Sequence, residues 1–184
     1  MTRAIRDFKR PGDGPVGGVV IGIADGTGRP LLTDQSAELE FRRMRGSFRS
    51  SGAGETEALG ARLADSLALG DVVLVEGELG AGKTTFVRGA ARRLGVTTPV
   101  TSPTFTIGQR YRGRDLVVSH IDLYRVSSLA GEEPELLADY LGSDAVSFVE
   151  WPGTEEATLA GLAHVAAHVS LRHGGEDLRL VTVR

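Results

Sequence analysis

The chain has 184 residues, of which 41% are hydrophobic, and a formal net charge of −3. This length suits one globular domain with an additional segment, and the small net charge argues against a protein that binds nucleic acid strongly by itself. The sequence contains no cysteine, which excludes disulfides, cysteine-ligated zinc and thiol catalysis and fits a cytoplasmic protein. No apolar run approaches the ~20 residues of a membrane helix, so we expect no membrane association.

Residues 1–45 differ in composition from the rest of the chain, with a basic start followed by Gly- and Pro-rich sequence. We expect a disordered or loosely attached extension there, followed by a domain over residues 46–184. The chain has two methionines, Met1 and Met44, and the second lies where the domain begins. A start of translation at Met44 is therefore a hypothesis, which mass spectrometry of the natural N-terminus would test.

The predicted domain opens with a strand and a helix. We expect a short strand from Phe48 and a helix that begins with an N-cap at Thr56 and ends at Gly70. Leucines at positions i, i+4 and i+8 mark one apolar face of this helix, namely Leu59, Leu63 and Leu67.

A glycine-rich loop between an apolar run and a second helix is the centre of the sequence. Residues 72–75 predict a strand, and residues 84–94 predict a helix that ends at Gly95. The loop between them fits the phosphate-binding pattern G-x-x-x-x-G-K-[ST]. Its residues, all predicted to bind nucleotide, are Gly77, Glu78, Leu79, Gly80, Ala81, Gly82, Lys83, Thr84 and Thr85.

Each fixed position of this loop has a chemical reason. Gly80 and Gly82 allow the backbone to adopt positive φ, so that successive N–H groups can surround a polyphosphate. Lys83 would place its ammonium on the β- and γ-phosphate oxygens, and Thr84 would offer a hydroxyl to Mg²⁺. Lys83 is the only lysine after residue 9, in a chain that otherwise uses arginine. We expect it to be exposed, so that its removal would leave the fold intact.

The second half of the chain alternates strands with a helical stretch. The predicted strands cover residues 109–111, 116–119, 145–149, 163–171 and 178–183, the last two as a hairpin. Residues 128–141 predict an acidic helix broken by Pro134, and residues 120–125 lie just past the second of these strands. The order predicts an α/β fold of the P-loop NTPase type, a three-layer sandwich with a mixed parallel and antiparallel sheet.

Two acids follow predicted strands and are candidate metal ligands and catalytic residues together with Lys83. Asp122 and Glu150 would lie at the carboxyl edge of the sheet, where Mg²⁺ and the attacking water must be held near Thr84. The sequence does not say how Asp122 and Glu150 divide these roles.

Hydroxyl-bearing and aromatic residues surround these acids in the sequence. Ser102 and Thr104 are switch candidates that would offer a hydroxyl to the metal or the γ-phosphate. Arg125 would meet phosphate charge or form a surface ion pair, and we interpret Trp151 as a core anchor and His120 as a structural residue.

The amino-acid composition bears on which nucleobase the protein recognises. The sequence contains no asparagine, so the Asn-Lys-x-Asp guanine reader of GTPases cannot be present. This favours ATP as the nucleotide.

These motifs together resemble the TsaE (YjeE-type) family of P-loop ATPases, which is required for the threonylcarbamoyl modification of adenosine 37 in tRNA. The resemblance covers the chain from about Gly46 to its end. It rests on Tyr111 and on residues 77–86, 102–105, 120–125 and 149–152.

The resemblance implies a small cytoplasmic ATPase with Mg²⁺ held by Thr84 and the Glu150 region, with Asp122 nearby and residues 102–105 acting as a switch. It also implies TsaD-like and TsaB-like partners, a complex reset by ATP hydrolysis, and contact with tRNA only through that complex. The family usually has Asp at the position of Glu78. We expect the edge of a loop to tolerate the longer side chain of Glu.

Two other functions are compatible with the sequence. A small-molecule P-loop kinase would need an arginine-bearing lid, and Arg110, Arg112 and Arg114 share one face at strand spacing. A nucleotide-dependent docking module would bind ATP without needing to hydrolyse it.

Overall fold

The computed structural model describes residue 39 and residues 42–103, 106–125 and 137–184. Within them, a seven-stranded sheet has the order β1-β7-β6-β2-β5-β4-β3. The strands are β1 (Gly46–Ser50), β2 (Asp71–Gly77), β3 (Gly108–Arg112), β4 (Val117–Asp122), β5 (Ala145–Glu150), β6 (His164–Gly175) and β7 (Leu178–Val183). The helices are α1 (Ala53–Ala64), α2 (Lys83–Arg93) and α3 (Glu156–Leu162), with a 3₁₀ turn at Gly153–Glu155 before α3.

The middle of the sheet is parallel and its edges are antiparallel. Strands β6, β2, β5 and β4 run parallel, whereas β3 pairs antiparallel with β4, and β7 pairs antiparallel with both β6 and β1. In this register Glu150 lies between Val75 of β2 and Asp122 of β4. The carboxyl ends of β2, β5 and β4 therefore meet at one edge of the sheet, and the predicted mixed sheet is confirmed.

Helices cover both faces of the sheet, which confirms the predicted three-layer sandwich. On one face α1 and α2 pack against β2 and β5 in a cluster that includes Leu63, Phe86, Val75 and Phe148. On the other face Leu159 of α3 belongs to a second buried cluster, formed with side chains of β2, β4 and β5. These apolar layers fix the orientation of α2, which carries the end of the glycine loop.

Two glycines let α1 and α2 approach each other closely. A Cβ atom on Gly60 of α1 would lie 2.1 Å from the carbonyl oxygen of Phe86, and a Cβ on Gly89 of α2 would lie 1.9 Å from that of Glu57. Neither position has room for a side chain. The backbone contact therefore holds α2, and with it the glycine loop, firmly against α1.

The predicted bounds of α1 are wrong at both ends. The N-cap is Gly52, and Thr56 lies in the first turn, where its hydroxyl shares a 2.7 Å hydrogen bond with that of Ser50. The helix ends at Ala64, well before Gly70. The backbone N–H of Ala68 donates to the Asp71 carboxylate at 2.8 Å, so this segment is tied to the start of β2 and does not continue the helix.

Three further differences concern the second half of the chain and the N-terminus. Strand β4 extends to Asp122, so His120 lies inside the strand and not past its end. Helix α3 has no counterpart among the predicted elements, because it is short and buries only Leu159. Most of the predicted extension and most of the predicted acidic helix lie outside the described residues, but Met44, which belongs to the predicted extension, is fully buried in the core. No helix in the described ranges is long and apolar enough to cross a membrane.

Candidate functional site

The glycine loop connects β2 to α2 as the sequence predicts. Gly80 and Gly82 have φ values of 74° and 101°, in the left-handed region that glycine adopts without strain. Gly82 is the N-cap of α2, and its carbonyl accepts the first helical hydrogen bond from the Phe86 N–H at 2.9 Å. The amides of the first turn of α2 and the positive end of its dipole therefore lie at the end of the loop, where an anion is stabilised.

Lys83 is buried, with only 5% of its surface exposed, so the prediction of an exposed lysine is wrong. Its ammonium donates hydrogen bonds to the carbonyl oxygens of Gly77 at 2.8 Å and Glu78 at 3.0 Å. It also lies 3.8 Å from the centre of the Trp151 ring, a cation–π contact. Burial lowers the pKa of Lys83, and the nearby carboxylates of Glu150 and Asp122 oppose this shift.

Glu150 connects the loop to the end of β5. Its Oε1 accepts hydrogen bonds from the Thr84 hydroxyl at 2.8 Å and shares a 2.8 Å contact with Nε2 of His120. Glu150 and His120 are both buried. The expectation that Glu150 lies within reach of the Thr84 hydroxyl is therefore met by direct contact.

Asp122 lies beside Glu150, as its partner in the parallel register of β4 and β5. Its Oδ2 accepts a 2.9 Å hydrogen bond from the Ser102 hydroxyl, and its Oδ1 accepts one from the Tyr124 backbone N–H at 3.0 Å. The Asp122 carboxylate is thus oriented from both sides, and Ser102 contacts a candidate metal ligand. Thr104, the other switch candidate, lies outside the described residues.

Trp151 does not fill the core as expected but forms one wall of the site. It is half-buried, has a φ of 58°, and its backbone N–H donates to the Val75 carbonyl at 3.1 Å. Its ring lies 4.9 Å from that of Tyr124, centre to centre. The unusual backbone turn directly after Glu150 directs the indole over Lys83, an arrangement that depends on three-dimensional structure and not on local sequence.

Most of the predicted site residues line one cleft, which has a volume of about 490 Å³. Its lining residues are Leu79, Gly80, Gly82, Lys83, Thr84, Thr85, Ser102, Asp122, Tyr124, Arg125, Glu150 and Trp151. Gly77 and Glu78 contribute to the site through the carbonyls that hold Lys83, and the side chain of Ala81, also in the loop, is buried in the core. The structure therefore brings the loop and both acids together.

The donors in this cleft fit Mg²⁺ chemically. Thr84, Glu150 and Asp122 offer hydroxyl and carboxylate oxygens, the ligands that this cation prefers. Across residues 42–103, 106–125 and 137–184, no group of three or more acidic or histidine side chains forms a preformed metal site. Magnesium is commonly bound by one or two carboxylates together with substrate phosphates, so a phosphate-bearing ligand would complete the shell.

The arginine face suggested for a kinase lid is elsewhere. Arg110, Arg112 and Arg114 line a separate depression, where Arg110 pairs with Asp144 at 3.1 Å. Because β3 and β4 are antiparallel, Arg112 lies opposite Val117, at the far end of β4 from Asp122. This placement does not support a lid over the cleft.

A parallel sheet with a glycine loop between β2 and α2, and an acid at the end of the neighbouring strand, defines the P-loop NTPase fold. A crystal structure of Bacillus subtilis YdiB aligns with this chain at a TM-score of 0.57 and 31% sequence identity, over 74% of this chain and 82% of that one. The model of the TsaE family, described as threonylcarbamoyl adenosine biosynthesis protein TsaE, matches residues 50–180. The chain belongs to the TsaE family.

Individual relatives agree with this assignment. A Bacillus subtilis protein named tRNA threonylcarbamoyladenosine biosynthesis protein TsaE is 38% identical over 129 residues, which cover 70% of this chain and 78% of that protein. Proteins of the same name from Synechocystis and Streptomyces coelicolor are 42% and 47% identical, over 53% and 50% of this chain. The matched region spans 64% of the length of each of these two relatives.

Proposed function

We propose that this protein binds ATP with Mg²⁺ in the cleft and hydrolyses the bond between its β- and γ-phosphates to give ADP and phosphate, as part of the biosynthesis of threonylcarbamoyladenosine in tRNA. The observation that carries the proposal is the 2.8 Å hydrogen bond from Thr84 to Glu150. This bond joins the phosphate-binding loop to the acid at the end of the adjacent strand. A site built for phosphate binding alone would not need a buried carboxylate at that point.

Each residue has a role that follows from its chemistry. The amides of the loop and of the first turn of α2 would hold the β- and γ-phosphates, and the Lys83 ammonium would neutralise their charge. The Thr84 hydroxyl donates its only proton to Glu150, which leaves its lone pairs available to a cation. Glu150 and Asp122 would complete the acidic side of the metal site and orient the attacking water. Mg²⁺ supplies Lewis-acid stabilisation of the charge that develops on the phosphate oxygens.

Turnover by the protein alone should be slow. Catalysis of phosphoryl transfer often needs an arginine that a partner supplies, worth roughly 10³–10⁵ in rate in related NTPases. Arg125 lines the cleft and is the arginine among the described residues that could meet phosphate charge there. We infer that partners resembling TsaD and TsaB complete the site in the cytoplasm, and that ATP hydrolysis resets their complex while the tRNA is held by them.

Phosphate release from ATP tests the proposal directly. The purified protein should release phosphate faster from ATP than from GTP, only with Mg²⁺, and faster when TsaD-like and TsaB-like subunits are added. Release without any small acceptor separates this function from that of a kinase. No release above background with ATP, Mg²⁺ and both subunits would contradict the proposal.

A cellular test separates an ATPase from a docking module. In cells that depend on this protein for tRNA modification, Glu150→Gln should reduce threonylcarbamoyladenosine, measured by mass spectrometry of tRNA nucleosides. A variant that no longer hydrolyses ATP but supports normal modification would show that hydrolysis is dispensable.

A further inference from the structure

His120 is a buried polar side chain that contacts the site but has no role in the proposed mechanism. His120 has no solvent-exposed surface, and it lies in β4 directly beside Phe148 of β5. Burying an imidazole costs free energy unless its nitrogens are hydrogen-bonded. Its Nε2 lies 2.8 Å from Oε1 of Glu150, whereas its Nδ1 has no hydrogen-bond partner among the described residues.

This asymmetry selects one tautomer of His120. A proton on Nδ1 would be buried with no acceptor in the described part of the chain, whereas a proton on Nε2 meets a carboxylate oxygen. The favourable arrangement places the proton on Nε2. His120 therefore donates to Glu150 and does not accept from it.

The donated hydrogen bond complements the one from Thr84. Both hydrogen bonds are accepted by Oε1, so the carboxylate is held by Thr84 of α2 on one side and by His120 of β4 on the other. Oε2 accepts no hydrogen bond from the residues that the structure describes, and Glu150 lines the cleft. Anchoring one oxygen fixes the direction in which the other is presented.

We propose that His120 is a positioning residue, which donates from Nε2 to Oε1 of Glu150 and so fixes the orientation in which Oε2 would be offered to the metal or the attacking water. His120 belongs to β4, which is paired with β5 and β3, so this contact does not depend on the loop, whose Thr84 must also serve the cation. The proposal rests on the proposed function for its catalytic consequence, but the contact itself can be tested without ATP.

The tautomer is the first test. Side-chain ¹H–¹⁵N NMR spectra of the nucleotide-free protein, with the His120 signals identified by their absence in His120→Gln, should show the proton on Nε2. A proton on Nδ1 would overturn the proposal. This result stands even if the wild-type protein releases no phosphate from ATP, an outcome that would contradict the proposed function instead.

Kinetics of two variants provide the second test. His120→Phe keeps an aromatic ring but removes the donor, and it should lower kcat by about 10–100-fold, the usual cost of losing a partner of a ligating carboxylate. Because His120 does not line the cleft, ATP affinity measured in EDTA should stay within about twofold. His120→Gln places an amide N–H near the position of Nε2 and should restore most of the lost rate.

A neighbouring residue provides the matched control. Ser119 is also fully buried in β4, and its hydroxyl has no partner among the described residues. Ser119→Ala should leave kcat unchanged. The proposal is overturned if His120→Phe keeps the wild-type kcat, or if His120→Gln is as slow as His120→Phe while both unfold at the wild-type temperature. If His120→Phe does not fold, the proposal is tested by the NMR result and by the kcat of His120→Gln. The proposal then requires that His120→Gln keeps most of the wild-type rate.

Discussion

The glycine loop of residues 77–85 and the acidic edge, formed by Asp122 and Glu150, line the same cleft but are built in different ways. The loop is a continuous segment whose shape depends on local backbone geometry, with Gly80 and Gly82 at positive φ. The acidic edge comes from the ends of β4 and β5, and it exists only because these strands are paired in parallel register. The loop is thus suited to binding phosphate, whereas the acidic edge depends on the whole sheet and is suited to orienting a reaction.

The difference predicts that changes in the loop affect binding and changes at the acidic edge affect turnover. The hydrogen bond between Thr84 and Glu150 is the point where the two regions meet. The following experiments separate them, beginning with the largest effect.

Lys83→Ala should reduce both ATP affinity and turnover. Removing one partner of a desolvated charge pair costs about 2–5 kcal/mol, so affinity should fall by roughly 30- to 4,000-fold. The fold should persist, because the loss of the bonds to Gly77 and Glu78 is offset by the removal of a buried charge. Calorimetric titration with ATP and thermal unfolding measure the two effects. Arg92→Ala, an exposed change on the same helix, is the control, and equal ATP affinity in both variants would contradict the account.

Glu150→Gln should reduce turnover while ATP binding persists. Glutamine keeps an acceptor for Thr84 and His120 but lacks the charge and basicity needed to hold the metal and activate water. We expect kcat to fall by about 10²-fold or more, with affinity in EDTA unchanged. Single-turnover hydrolysis and a fluorescent ATP analogue measure these quantities. A loss of affinity as large as that of Lys83→Ala would mean that the acidic edge is part of the phosphate-binding region.

Asp122→Asn should have a smaller effect, confined to the metal. The amide oxygen can accept from the Tyr124 N–H while the amide NH2 donates to the Ser102 hydroxyl, which can also accept, so both local contacts can be kept. The Mg²⁺ concentration that supports half-maximal hydrolysis should rise by about 10-fold. An unchanged Mg²⁺ requirement would remove Asp122 from the metal site.

The pH dependence of ATP binding should show the smallest effect. Lys83 is charged below its pKa, and burial lowers that pKa from its usual value of 10.5. ATP affinity should therefore be constant near neutral pH and begin to fall at a less alkaline pH than an ordinary lysine would give. Titrations in EDTA between neutral and strongly alkaline pH measure this, with Lys83→Arg as a control whose affinity should not fall in this way. A fall that begins only near 10.5 would contradict the described environment of Lys83.

The same difference explains what the sequence could predict. The loop, α2 and Gly95 can be predicted from the sequence because glycine spacing and helix propensity are local properties. Asp122 and Glu150 can also be predicted as a pair, since acids that follow parallel strands meet at one edge of the sheet. The contact of His120 with Glu150 cannot be predicted, because it is diagonal across β4 and β5 and requires their register. The burial of Lys83 was missed for a similar reason, since it depends on the backbone turn that places Trp151 over the ammonium.

A crystal structure with Mg²⁺ and a non-hydrolysable ATP analogue tests most directly whether the two regions serve one ligand. The account predicts a single cation about 2.1 Å from the Thr84 hydroxyl and from phosphate oxygens, with Glu150 and Asp122 bound to it directly or through water. A triphosphate bound outside the cleft would contradict it. So would a cation separated from both carboxylates by more than about 10 Å, a distance that no ordinary magnesium shell spans.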